Sequence, residues 1–190
     1  MTRLGSRASE TGSVDEELRA ELLARRAEDQ RIRHAAMEAS DPETGRLPDD
    51  LGSEWSRIDS ANTEWLNDLV DARGWPGRSL VGEDGARAAW LLAQHADGRP
   101  DLQHKFLDLL RAAVAAGDAA GFDLAYLEDR VRGADGRPQL YGTQFEGRGE
   151  DLAPRPIEDP DRLEERRAAV GLPPFAEYEA QIRARYGPGT

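Results

Sequence analysis

The sequence predicts a mainly α fold, a single-domain multi-helix bundle with one short irregular or β-like segment near residues 139–157. Apolar residues recur every three or four positions along most of the chain, which is typical of amphipathic helices. Turn signals rich in Pro and Gly divide these stretches, and 190 residues is the length of one ordinary domain. We expect a disordered N-terminal tail at residues 1–14, one helical domain at 15–186 and a frayed C-terminus at 187–190.

The first two helices are predicted from caps and apolar stripes. The first runs from Asp15 to Ala39, with Ser13 or Asp15 as its cap and two glutamates at the positive end of the helix dipole. Residues 41–48 contain two prolines and a glycine, which favours a loop. The second helix is predicted from Glu54 to Arg73, because a glycine follows and can end it.

Three further helices are expected in the middle of the chain, at residues 82–97, 100–116 and 122–132. Each carries an apolar stripe, and each is followed by a stretch that contains Gly. The short stretch at 79–81 fits either an extended segment or a helical turn.

The last part of the chain mixes irregular and helical signals. Residues 139–145 are compatible with a short strand or an ordered loop, which can pair with residues near 152–157. Two helices are then expected. Asp159 caps the first, and Pro173 precedes the second, which ends at Tyr186.

Composition narrows the classes of partner. The formal net charge is −12, which disfavours nucleic acid and anionic membranes because both are bound by positive surfaces. The chain has no cysteine, so thiolate nucleophiles, disulfides and cysteine-based zinc sites are excluded. It has no apolar run of membrane-helix length, and its N-terminus lacks the apolar segment of a secretory signal. We therefore expect a cytoplasmic protein.

A histidine on an apolar helix face is the first candidate for chemistry. Ala88, Leu91, Leu92 and His95 are spaced to share the face that points into the core. A histidine there titrates near neutral pH and can act as a general acid or base at a pocket wall. The alternative is a core histidine whose ring nitrogens are satisfied by neighbouring groups.

An aspartate continues the apolar stripe of the first helix. Asp29 is expected to face inward, and a buried carboxylate needs a partner. It can orient His95 from another helix as a catalytic partner. The alternative is a structural ion pair with Arg25, Arg33 or Arg130.

Polar residues near these faces are predicted to contact a ligand. Arg130 can clamp an anionic group or bridge to Asp29 or Asp129. Residues 139–144 form a ligand-contacting loop or a polar plug over the helix ends. The full set of predicted substrate contacts is Gln30, Arg33, Asn62, Gln94, Asp129, Arg130, Gln139, Tyr141, Thr143 and Gln144.

Metal and nucleotide signatures are weak in the sequence. His95 and His104 are not at a standard ligand spacing, although His95, Asp29 and Asp129 offer the donors of a mixed site. No Walker A loop, dinucleotide fingerprint, nucleophile elbow or His-Glu-x-x-His motif occurs. We therefore predict no metal and no cofactor.

Several motifs together resemble a bacterial family catalogued only as a domain of unknown function. The resemblance covers about residues 15–180 and implies no activity, substrate or cofactor, but its motifs coincide with the polar positions above, which favours one shared site. The motifs are DQRIR at 29–33, GWP at 74–76, SLVG at 79–82, AAWLLAQHAD at 88–97, YLEDRV at 126–131 and QLYGTQF at 139–145.

Three functions follow from these observations. The first is an enzyme or enzyme-like pocket for a small, polar, anionic molecule, in which His95 is a metal-independent general acid/base and Asp29 assists it. The second is a non-enzymatic acidic helical module that binds a basic partner, as an inhibitor or immunity protein does. The third is a metal-dependent hydrolase. The expected partner is a small-molecule ligand, and the sequence carries no signal for an oligomeric state.

Overall fold

Helices dominate the computed structural model, which describes residues 13–41, 44–147 and 149–186. The predicted mainly α fold is thereby confirmed. The predicted N-terminal tail falls outside the described residues except at positions 13 and 14, and the predicted frayed C-terminus falls outside them entirely. The elements are α1 (Glu16–Ala39), α2 (Asp49–Arg73), α3 (Arg78–Gln94), α4 (Pro100–Ala115), α5 (Gly121–Ala134), β1 (Phe145–Glu146), β2 (Ala153–Pro154), α6 (Leu163–Ala169) and α7 (Phe175–Tyr186).

Of the two predicted caps of helix α1, Ser13 and Asp15, the structure uses Asp15. The side chain of Asp15 accepts a hydrogen bond from the backbone N–H of Leu18 at 3.0 Å. The buried face of α1 carries one charged residue, Asp29, among apolar ones. The apolar members of that face are Leu22, Ile32 and Ala36.

Helix α2 begins at Asp49, earlier than the predicted Glu54. Pro48 precedes the first turn, and acidic residues at the start suit the positive end of the helix dipole. Gly52 lies in this first stretch and weakens the helix signal in the sequence.

Helix α3 contains a break at Gly82, whose φ of 73° and ψ of 173° are open only to glycine. The undecided stretch at 79–81 is a helical turn before this break. The helix ends at Gln94 rather than at the predicted Asp97, and His95 is its C-cap with φ −99° and ψ 11°. The Gln103 side chain donates to the carbonyls of residues 93 and 94. These carbonyls are therefore satisfied without a further turn of helix.

Helix α3 is central to the core, since it packs against α1, α2, α4 and α5. This arrangement brings the C-terminal end of α3 beside the second half of α1, where the candidate site lies. Among the described residues, no helix is long and apolar enough to cross a membrane. The core side chains include Leu22, Leu66, Val81, Leu92, Phe106, Leu110 and Leu127.

The segment after α5 pairs with the stretch that the sequence indicated. Strand β1 pairs antiparallel with β2, with Phe145 opposite Pro154, and an isolated parallel bridge joins Gln139 to Ile157. Asp159 does not cap the next helix as predicted. It adopts a left-handed φ of 44°, and its side chain makes no cap hydrogen bond.

Candidate functional site

The candidate site is built around a contact between α1 and the end of α3. Asp29 Oδ1 lies 2.8 Å from His95 Nδ1, and Asp29 has no exposed surface. The carboxylate beside His95 therefore comes from another helix, as the sequence indicated. A buried carboxylate at this distance fixes the plane of the imidazole ring.

Arg33 connects this pair to α2. Its Nε lies 3.0 Å from His95 Nδ1, and its Nη2 lies 3.3 Å from Asp29 Oδ1. The same Nη2 donates to Asp59 at 3.0 Å, and the guanidinium lies 4.6 Å from the ring centre of Trp55. Arg33 is thus held by three helices at once.

Sequence reasoning missed Asp59 and Trp55, which complete the site on α2. Trp55 Nε1 donates to Asp59 Oδ2 at 2.7 Å across one helical turn. The available signal was the spacing of four between an aromatic donor and a carboxylate. It is a weak signal, because exposed helices carry many such pairs.

The nitrogen His95 Nδ1 faces a carboxylate and a guanidinium at the same time. Carrying a proton, it donates to Asp29; without a proton, it accepts from Arg33 Nε. One nitrogen cannot do both, so the proton on this ring selects which neighbour is satisfied.

The two carboxylates of the site have opposite pKa shifts. Burial opposes ionisation of Asp29, but hydrogen bonds from His95 and Gln30 outweigh it, so the pKa of Asp29 is lowered. Burial raises the pKa of Asp59 despite its contacts with Arg33 and Trp55. The ionised form is thus favoured at Asp29 and disfavoured at Asp59.

The second ring nitrogen of His95, Nε2, is free to contact a ligand. The His95 side chain is 16% exposed, and its Nε2 makes no hydrogen bond within the described residues. Arg33 Nη1 is buried and has no partner there either. Five cavities formed by the described residues are lined by other side chains, so His95 belongs to none of those five.

The structure brings only some of the other predicted contacts to this site. Gln30 donates to Asp29 Oδ2 at 2.9 Å, so it belongs there. Gln94 is adjacent in sequence but buried, and its Nε2 points to a backbone carbonyl of α5 at 3.5 Å. Asn62 lies between α1 and α2, where its Oδ1 accepts from Arg25.

Arg130 pairs with a carboxylate that the sequence did not suggest. Its Nε donates to Asp97 Oδ1 at 2.7 Å, whereas bridges to Asp29 or Asp129 were predicted. Because α3 ends early, Asp97 turns toward α5, and Gln103 Nε2 holds it from α4 at 3.1 Å. Arg130 thus ties the end of α3 to α5.

Asp129 organises the loop that follows α5. The buried carboxylate accepts from the backbone N–H groups of Leu140, Tyr141 and Thr143 at 2.6, 3.0 and 2.9 Å. The Thr143 hydroxyl donates to the same group at 2.9 Å. These donors occupy both oxygens, which gives Asp129 a structural role.

The amides of this loop are also occupied. Gln139 is 1% exposed; its Nε2 donates to the carbonyls of Gln144 and Arg155, and its Oε1 accepts from the Gln144 backbone. The Gln144 side chain donates to the Thr143 hydroxyl at 3.1 Å. Tyr141 is half-buried, and this burial raises its pKa. The geometry favours the polar plug over the ligand-contacting loop.

A family model matches residues 16–189, which spans nearly the whole chain. The chain belongs to DUF6624, a family of unknown function. Membership in DUF6624 confirms the resemblance seen in the sequence. It assigns no activity to the site at His95 or to the loop at Asp129. No curated protein and no solved structure matches the chain.

A metal centre was one alternative for this DUF6624 member. Asp129 is held by the loop, so it does not join His95 and Asp29 as the sequence allowed. Within residues 13–41, 44–147 and 149–186, no group of three or more His, Asp or Glu side chains is arranged to hold a metal ion. His104 is exposed and contacts Asp135 at 3.1 Å.

Proposed function

We propose that the protein is an enzyme in which His95 is the general acid/base and Asp29 is its positioning residue, acting on a small, polar, anionic substrate. The observation that carries the proposal is the 2.8 Å contact between a fully buried Asp29 and His95 Nδ1, with Nε2 left without a partner in the described residues. A histidine held on one nitrogen and open on the other is the arrangement that proton transfer needs.

This geometry supports a role of His95 in proton transfer. With its proton on Nδ1, neutral His95 donates to Asp29 and presents the Nε2 lone pair outward. When Nε2 takes a proton from the substrate, the buried carboxylate stabilises the imidazolium ion, because opposite charges attract strongly away from water. In the reverse step, Nε2 returns this proton to a leaving group or an intermediate.

The preference for an anionic substrate rests on Arg33. Its buried Nη1 lacks an acceptor among the described residues, and an oxygen of the substrate would supply one. Gln30 remains in the proposal as a support of Asp29. The polar groups of Asp129, Gln139 and Thr143 are engaged in the loop, so the proposal assigns them no substrate contact.

The test uses p-nitrophenyl acetate, an ester that an available imidazole attacks or helps water to attack. His34 and His104 are exposed and lie outside the site, so they also attack this ester, and the test is made in a His34→Gln, His104→Gln background that removes both. In this background we expect His95→Gln to lower the rate above the uncatalysed reaction by about 100-fold, the lower end for loss of a general base. An unchanged rate would contradict the proposal.

The role of Asp29 needs a readout that a purely structural role would not change. Nitrogen-15 NMR of the His95 ring reports which nitrogen carries the proton. In Asp29→Asn we expect the Nδ1–H form to decline together with a roughly tenfold lower rate, while circular dichroism shows a folded helical protein. A folded variant with an unchanged tautomer would remove Asp29 from the mechanism.

A further inference from the structure

A groove of about 310 Å³ lies between α1 and α2, and the site at His95 does not include it. This volume is at the lower end of the range for sites that bind small molecules. Apolar side chains line part of it, namely Ala24, Ile58 and Ala61. Two polar side chains of α2 also line it, Arg57 and Asn62.

Asn62, one of the residues that line this groove, carries an unsatisfied donor. The residue is 6% exposed, and its Nδ2 is buried without a hydrogen-bond partner in the part of the chain that the structure describes. Its Oδ1 accepts from Arg25 Nη1 at 3.2 Å. A buried N–H group without an acceptor is costly, so its persistence in a native fold points to a partner that binds there.

The charges around the groove are balanced except at Arg57. Arg25 pairs with Glu21 at 2.7 Å, and Glu28 pairs with Arg31 at 2.8 Å. Arg57 is exposed and makes no ion pair with any described residue. The Arg57 guanidinium attracts the Glu28 carboxylate over a longer distance and helps to lower the pKa of Glu28. Both carboxylates that line the groove, Glu21 and Glu28, are thus engaged by arginines, and the groove offers one unsatisfied N–H donor and one unpaired cation among the described residues.

We propose that this groove binds a small organic carboxylate with a short aliphatic body. One carboxylate oxygen accepts from Asn62 Nδ2 and the other faces Arg57, while the aliphatic part covers Ile58 and its apolar neighbours. To admit the oxygen, Arg25 moves off Asn62; its side chain is one-quarter exposed, and the contact it gives up is a long one of 3.2 Å. The proposal does not depend on the chemistry at His95.

The experiment is a titration with sodium butyrate at constant ionic strength, followed through the Asn62 side-chain amide in a nitrogen-15 correlation spectrum. Butyrate is added to about 50 mM, because a ligand of this size is expected to have a dissociation constant on the order of 1 mM. A saturable shift of the Asn62 amide is the expected result. Butyramide, a neutral analogue of similar shape, should produce a shift at least about tenfold weaker.

Variants locate the binding. Arg57→Gln should weaken butyrate about tenfold without affecting folding, since the residue is exposed. Arg46→Gln is the matched control, because Arg46 is also exposed, has no ion pair among the described residues and lies outside this groove. Asn62→Leu should abolish saturable binding, as read from the backbone amides of Ile58 and Ala61.

Three outcomes would overturn the proposal. The first is no saturable shift of the Asn62 amide with butyrate. The second is equal binding by the Arg57→Gln and Arg46→Gln variants. The third is inorganic phosphate binding as tightly as butyrate, since a site for any anion is not a carboxylate site. All three leave the esterase test of His95 unaffected.

Discussion

Two buried aspartates of similar sequence context serve different purposes. Asp29 and Asp129 both interrupt an apolar helix face, and neither has exposed surface. Asp129 meets backbone N–H groups, which are permanent donors. Asp29 meets His95, whose ring can gain or lose a proton. The first arrangement fixes a loop, whereas the second leaves a group that can react.

The difference lies in what surrounds each carboxylate rather than in the carboxylate itself. Around Asp129 the donors are complete, and neighbouring amides such as Gln139 are also satisfied. Around Asp29, the Arg33 Nη1 nitrogen is left without a partner in the described residues. Unsatisfied atoms beside a titratable pair are a better indication of a site than a buried charge alone.

The largest expected effect is at Asp129. In Asp129→Asn, an amide NH₂ replaces one oxygen and faces backbone donors, so at least one buried N–H loses its acceptor. We expect a loss of about 3 kcal/mol in the free energy of unfolding, the upper end for a buried donor left without its acceptor, measured by urea denaturation.

Asp97→Asn is the control for that variant. Asp97 has a partly exposed side chain and accepts only from side chains, those of Arg130 and Gln103. Its loss should be below about 1 kcal/mol. Similar losses in the two variants would show that the loop does not depend on the convergence of backbone donors.

A third buried aspartate, Asp123, sharpens the comparison because within the described residues it has neither backbone donors, as Asp129 has, nor a histidine partner, as Asp29 has. Asp123 is 5% exposed, and its Oδ1 has no hydrogen-bond partner in the described part of the chain. It lines a small cavity of about 20 Å³ together with Arg78 and Arg87. Burial raises the pKa of Asp123 from 3.8 to about 6, and the two arginines offset only part of this rise.

The pH dependence of stability follows from that shift. Between about pH 4 and pH 6, folded Asp123 holds a proton that the unfolded chain releases, so its contribution makes stability fall as pH rises through this window. Across this window the free energy of unfolding is expected to fall by roughly 3 kcal/mol because of Asp123. Asp123→Asn removes this loss, so the variant should exceed wild type by that amount above pH 6 and match it near pH 4. Chemical denaturation at both pH values measures the difference, and a constant difference would contradict the assignment.

Periodicity in the sequence predicted the helices, apart from the start of α2 and the end of α3, and it placed Asp29 and His95 on inward faces, with their pairing as one of the alternatives. An inward stripe on α1 identifies Asp29, and an apolar stripe on α3 identifies His95. Long-range packing was not needed for either inference. Asp59 and Trp55 were missed because they lie beside the buried stripe of α2, where nothing local separates them from solvent-facing residues.

The loop of residues 139–144 shows where sequence reasoning ends. Its polar side chains were expected to contact a ligand, yet Asp129 and Gln139 engage the loop itself. That outcome depends on backbone geometry, including Gly142 with a φ of 68° packed where a Cβ would meet Phe175 at 2.7 Å. A pattern of residue types does not encode the direction of backbone N–H groups.

The smallest expected effect separates backbone from side-chain donors at Asp129. Thr143→Val removes only the hydroxyl contacts, to Asp129 at 2.9 Å and from Gln144 at 3.1 Å, and leaves the backbone N–H of residue 143 in place. We expect a loss of about 1 kcal/mol in urea denaturation. Thr63→Val is the matched control, because its buried hydroxyl donates only to a carbonyl of its own helix, and its loss should be smaller. If Thr143→Val were as destabilising as Asp129→Asn, the hydroxyl rather than the backbone would hold the carboxylate. Asp129 would then depend on a side-chain donor, as Asp29 depends on His95, and the two aspartates would no longer differ in the kind of donor that holds them.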